Sequence, residues 1–157
     1  MSAILALDLG LKCGVAVLRG SDFDSNLWRL DEIDYAHGRF HSLDVHLAAA
    51  IEEHRPRIIA YEELHFAGGG PDALVSYGGL RAVVLLAAAR AAVPYLGVSP
   101  ATWKRVAGLG AGTKAKDAAV AARVRWPGVS FQSDDEAVAR FIALAAAARS
   151  TTARRPP

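Results

Sequence analysis

"AILALDLGLKCGVAVLRG", residues 3–20, holds two short apolar runs separated by a polar turn. The first, 3–9, is almost continuously apolar and reaches Asp8 just before Gly10. A short apolar run closed by a turn signal reads as a buried strand. The second run, 13–20, reads as its hairpin partner. Asp8 therefore closes a strand that reads as central, where an unpaired charge is costly unless it is hydrogen-bonded, paired with a base or bound to a cation. A turn aspartate capping the hairpin is an equally sufficient account.

Working outward, "LWRLDEIDYA" (27–36) reads as a third, more polar strand near an edge. Residues 40–54 carry apolar side chains at 40, 43, 47 and 51, which is helical spacing. "PRIIAYEE" (56–63) is another apolar run ending in acids, and so a second buried strand. Residues 71–92 open on a proline and continue as a long apolar helix. Gly78-Gly79 inside it weakens that helix and points to close backbone packing. A short strand at 93–99, a helix at 100–108, a loop at 109–113 and a helix at 114–126 stopped by Pro127-Gly128 follow. A last helix begins near Asp134, and 151–157 read as a flexible tail. This order predicts one α/β domain over 3–150, with a mixed sheet of five strands flanked by helices.

The composition narrows the function. With 157 residues and 52% hydrophobic content, the chain suits one well-filled domain. Cys13 is the only cysteine, so one chain can form neither an internal disulfide nor a cysteine zinc cluster. The expected setting is reducing and cytoplasmic. No segment is expected to span a membrane without a charge or a break, and the N-terminus does not read as a signal peptide. Charge is unevenly spread: 11 acids face 6 bases up to residue 63, and 5 acids face 12 bases beyond it. Lys104, Arg105, Lys114, Lys116, Arg123 and Arg125 lie between 100 and 126 with Asp117 as the one acid. Such a basic field suits a polyanionic partner, although a solvated surface accounts for it as well.

Three acidic places then draw together. Asp8 and one of Glu62 and Glu63 end buried strands, and parity alone does not choose between the two glutamates. In "QSDDEAVARFIALAAAARS" (132–150), Ser133, Asp134 or Asp135 suits the N-cap of a helix, and acids in its first turn suit the helix dipole. Carboxylates gathered at one sheet edge repel one another and take up protons unless a cation neutralises them. Oxygen-only ligands select Mg²⁺ or Mn²⁺, and two such ions support phosphodiester cleavage.

These segments resemble a known family. "ILALDLGLKCGVAVL" resembles the first hairpin of the RNase H-like superfamily, and "IIAYEELHF" the strand-four glutamate segment of the RuvC family of Holliday-junction resolvases. The stretch from Gly78 to 124 resembles that family's dimer-packing helix, short strand and lysine-bearing loop, and "DDEAVARFIALAAA" resembles its last acidic motif. The resemblance spans residues 3 to about 148 and is similar in length to the bacteriophage branch. It implies an RNase H-like nuclease domain, two Mg²⁺ or Mn²⁺ ions per subunit, a homodimer, and branched or four-way-junction DNA as partner. It implies Asp8, Glu62 and Asp135 as catalytic metal ligands, and Lys104, Arg105, Lys114 and Lys116 as DNA-binding residues.

One position departs from the pattern. The family has a further aspartate one helical turn after the first acid of its last motif, where this chain has Val138. Asp134 at the cap is the better placed substitute, Glu136 is the other, and a site of three carboxylates is the third option. A nuclease acting on RNA, similar to the YqgF relatives, and a DNA-binding dimer without cleavage are the competing readings. His65, Trp103, Tyr77 and Arg140 are weaker candidates for contacts to phosphates or opened bases.

Overall fold

β1 (Ile4–Asp8) and β2 (Lys12–Arg19) form the expected antiparallel hairpin, with Leu7 opposite Val15 and Asp8 opposite Gly14. The computed structural model describes residues 2–32, 38–64 and 70–152. β3 (Asp22–Arg29) follows β2 through a tight turn in which Gly20 takes a φ of 63°. The third strand thus begins five residues before the expected 27–36, and the expectation for 33–36 lies outside the described residues. Its polar sequence "DFDSNLWR" hid it: an edge strand carries Asp24, Ser25 and Asn26 without burying unpaired groups, so the apolar alternation is diluted.

α1 (Gly38–His54) leads into β4 (Ile58–Glu62), which lies parallel to β1. α2 (Gly70–Arg90) leads into β5 (Tyr95–Val98), parallel to β4. α3 (Pro100–Val106), α4 (Ala115–Arg125) and α5 (Asp134–Thr152) complete the chain. The sheet order is β3-β2-β1-β4-β5, a mixed five-stranded sheet as the sequence predicts.

Strand side chains alternate between two cores. Leu5, Leu7, Val15, Val17, Ile59 and Tyr61 face α1 and α2. Ile4, Ala6, Ala16, Leu18 and Ala60 face α5, with α3 and α4 packed beside it. By this alternation Asp8 and Glu62 belong to the α5 face. They are also register neighbours, because Leu7 pairs with Tyr61 in the parallel ladder.

Gly14 fixes how closely α5 can approach. A Cβ built on Gly14 falls well inside contact distance of the Asp135 carbonyl and close to the Glu136 nitrogen. The backbone of the first turn of α5 therefore rests directly on β2, beside Asp8. In α2 the two glycines differ. A Cβ on Gly79 would strike the Phe40 ring at 2.5 Å, whereas Gly78 has nothing within 4 Å. Close packing holds at one of the pair only.

α2 is the longest apolar helix, and Asp72 and Arg81 interrupt it. By length and composition its 21 residues could cross a membrane. Tyr77, Leu80, Val84, Ala87 and Ala88 are buried, and Arg81 meets Tyr61 Oη at 3.2 Å and Glu63 at 3.7 Å. Its outward side keeps Val75 and Leu86 exposed.

The glycines give a direct test in urea unfolding. Gly14→Ala is expected to destabilise the fold by about 1–3 kcal/mol through overpacking against backbone that cannot step aside. Gly78→Ala, at an open helical position, is expected to stabilise it by about 0.5–1 kcal/mol.

Candidate active site

Three elements deliver one carboxylate each. Asp8 ends β1, Glu62 ends β4, and Asp135 is the second residue of α5. All three keep an intermediate exposure at the surface. Glu62 and Glu63 part ways as the alternation requires. Glu62 Oε1 accepts the indole N–H of Trp103 at 2.7 Å on the α5 side. Glu63 turns to the α2 side, where Gly97 leaves room for its carboxyl and Arg81 lies near it.

The electrostatics mark a crowded anionic site. Burial holds the Asp8 carboxyl well above the usual carboxylate range, and the nearby charges of Glu62 and Asp135 push it further. The close approach of Asp8 and Glu62 raises Asp8 further and opposes the rise of Glu62. Burial also raises Glu62, against the opposing effects of the Trp103 N–H, Asp8 and the Lys104 cation. Burial raises Asp135, opposed by a hydrogen bond from Ser133 and assisted by the charge of Asp134. Among the described residues no lysine or arginine forms an ion pair with any of the three.

The donor set fits a hard divalent cation: oxygen atoms only, with excess negative charge at one sheet edge. It is not a closed cage. Among the described residues no three acidic, histidine or cysteine side chains are drawn close enough together to hold an ion as they stand.

The remaining candidates separate clearly. Asp134 is next to Asp135 at the start of α5 and raises its pKa. Glu136 turns away: one oxygen accepts from the Ser25 hydroxyl at 2.6 Å, the other from the Gln132 backbone N–H at 2.8 Å. Ser133 is the N-cap, its Oγ accepting the Glu136 N–H at 3.3 Å. Val138 is buried in the α5 core. Arg140 is buried as well, against β3, so it does not reach a bound strand as the sequence suggested. Lys104 donates to the carbonyls of Ala111 and Thr113 at 3.0 and 2.7 Å and so clasps the glycine-rich loop. Arg105, Lys114 and Lys116 are exposed around it. His65 lies outside the described residues.

Two aromatic residues have a role that the sequence did not reveal. Trp103 holds a Glu62 oxygen, and the Tyr77 hydroxyl donates to the Glu62 carbonyl at 2.8 Å while accepting the Leu64 N–H at 3.1 Å. Both are buried, and so unable to stack on an opened base. They lie 41 and 15 residues from Glu62 in sequence, a separation that no local pattern can bridge.

No protein-family model and no curated protein matches the chain. Solved structures do. The chain matches a Thermus thermophilus RuvC in complex with Holliday junction substrate with a TM-score of 0.80 at 19% identity, covering 98% of this chain and 97% of that one. This chain has the fold of RuvC. A second Thermus thermophilus RuvC structure matches with a TM-score of 0.74 at 22% identity, covering 96% and 97% of the two chains. The yeast mitochondrial Holliday junction resolvase Ydc2 matches with a TM-score of 0.59 at 19% identity, covering 92% and 77%. The RuvC likeness extends over nearly the whole chain, so the RNase H-like reading of the sheet holds from β1 to α5.

The raised carboxyls set the sign of a pH effect. A carboxyl whose pKa is higher in the folded than in the unfolded state makes folding favour the proton. Its contribution falls as pH rises from the usual carboxylate range through the raised values. Asp8→Asn is therefore expected to be more stable than the wild type at neutral pH, with the difference shrinking towards pH ~4. For a chain of this size each 1 kcal/mol gained appears as about 2–4 °C in Tm. Thermal unfolding across pH without added metal checks this, and a less stable Asp8→Asn at neutral pH contradicts it.

Proposed function

We propose that the protein is a metal-dependent endonuclease that cleaves Holliday junctions or other branched DNA. The observation that carries this reading is the meeting of Asp8, Glu62 and Asp135 at one sheet edge, within electrostatic reach of Lys104. The RuvC fold supports it. Asp8, Glu62 and Asp135 would hold the ions, with Asp134 as the fourth carboxylate beside them. Two bound Mg²⁺ or Mn²⁺ ions would supply an activated water and a stabilised leaving oxygen at the phosphodiester.

The chain's own residues prepare that chemistry. Asp8 and Glu62 stand side by side because parallel strands in register place them there. Trp103 occupies one oxygen of Glu62 and so fixes how the carboxylate is presented. The same contacts favour ionised Glu62, while burial favours the protonated form. Protons and cations then compete for the cluster. Arg105, Lys114 and Lys116 offer exposed charge to the phosphates of a bound strand, and the Lys104 clasp holds the loop that leads into the last two at the start of α4.

A homodimer suits a four-way junction, which presents two symmetric strands. The outward side of α2 supplies a face: Val75, Gly78, Ala82, Leu86 and Ala89 are exposed at helical spacing, with small residues between the larger ones. Leu86→Lys is expected to leave a monomer by light scattering.

The test is a synthetic four-way junction with Mg²⁺ or Mn²⁺. The wild type is expected to nick it, and Asp8→Asn to bind it without cutting. Raising the metal concentration should move the rising limb of the pH–rate profile to lower pH. Lys114→Ala and Lys116→Ala should each lower the salt slope of binding by about 0.9. Junctions that are bound yet never cut, with either metal and over a broad pH range, would exclude the nuclease reading and leave a branched-DNA-binding protein.

A further inference from the structure

Glu136 and Arg140 are buried charged residues at 3% and 5% exposure, one turn apart on α5. The Ser25 hydroxyl of β3 stands between them, donating to Glu136 Oε1 at 2.6 Å and accepting from Arg140 Nε at 2.9 Å. A hydroxyl has one proton, so these two bonds fix its rotor. The Arg140 guanidinium lies over the rings of Phe23, Trp126 and Phe131, with its carbon 5.1, 5.2 and 5.2 Å from their centroids. Glu136 Oε2, which accepts the Gln132 N–H at 2.8 Å, and the cap bond of Ser133 tie the same turn to the chain entering the helix.

We infer that Ser25, Glu136 and Arg140 are positioning residues for Asp135. Adjacent residues on a helix point about 100° apart. Holding Glu136 against β3 therefore sets the rotation of the first turn, and with it the direction in which Asp135 leaves the helix. Gly14 sets the distance of that turn from β2, and the network sets its angle. Arg140 also lies within electrostatic reach of Glu136, the two meeting through the Ser25 hydroxyl. The network links the edge strand to the proposed metal site across more than 100 residues of sequence.

The consequence for catalysis rests on the nuclease reading, so the experiment has two separate readouts. Ser25→Ala, Ser25→Thr and Glu136→Gln are compared with the wild type at a temperature where circular dichroism shows all of them folded. In junction cutting, Ser25→Ala and Glu136→Gln are expected to lose about tenfold or more in kcat with KM changed by less than about twofold, and Ser25→Thr to regain most of the loss. In thermal shift with Mn²⁺ alone, the half-maximal concentration is expected to rise about fivefold or more in the first two variants and to recover in Ser25→Thr. Folded Ser25→Ala and Glu136→Gln with wild-type kcat and wild-type Mn²⁺ response overturn the inference, as does lower stability with an unchanged Mn²⁺ midpoint. If the wild type cuts no junction, the nuclease reading fails and the Mn²⁺ midpoints alone decide the positioning role.

Discussion

The contact of α5 with Gly14 is the constraint on which the rest of the site depends. Helix backbone lies on strand backbone at the one β2 position without a side chain, directly opposite Asp8 in the ladder. Any larger residue would lift the first turn of α5 from the sheet and carry Asp135 away with it. The apolar length of the helix then holds the approach: Ala137, Phe141, Ile142 and Ala145 are buried on the α5 face of the sheet.

That approach has an electrostatic cost. It brings Asp135 to a pair of carboxyls already forced together by parallel pairing of β1 and β4. Burial raises all three, most of all Asp8, and neighbouring acids add to it: Glu62 and Asp135 on Asp8, Asp135 on Glu62, and Asp134 on Asp135. A domain built for stability alone would not gather these charges beside a helix N-terminus whose neighbouring acid, Glu136, is separately hydrogen-bonded to Ser25 and Gln132. In the proposed function a divalent cation would offset these charges at the sheet edge.

Much of this was legible in the sequence. The β1–β2 hairpin, the β4 run and the terminal helix declare themselves by short apolar stretches ending in acids, and the strand order gave a mixed five-stranded sheet. The edge strand was misplaced because its polar residues face solvent and the Ser25 network instead of a core. Strand parity alone left Glu62 and Glu63 open and the resemblance favoured Glu62; the register with β1, which a single strand does not carry, puts Glu62 beside Asp8. Glu136 and Arg140 read as candidates for the chemistry, yet their partners lie on β3, 111 and 115 residues away, and only the folded chain brings them together. Val138 is buried in the core, and Asp134 stands beside Asp135 at the start of α5.

The central claim is that these carboxyls hold protons in exchange for cations. Calorimetric titration of the metal-free protein with Mn²⁺, in two buffers of different ionisation enthalpy, measures the protons released on binding. The account predicts saturable binding with net proton release that grows as pH is lowered from neutral, and that is smaller in Asp8→Asn. Binding heats that are identical in the two buffers, or no saturable binding at any pH, would contradict it.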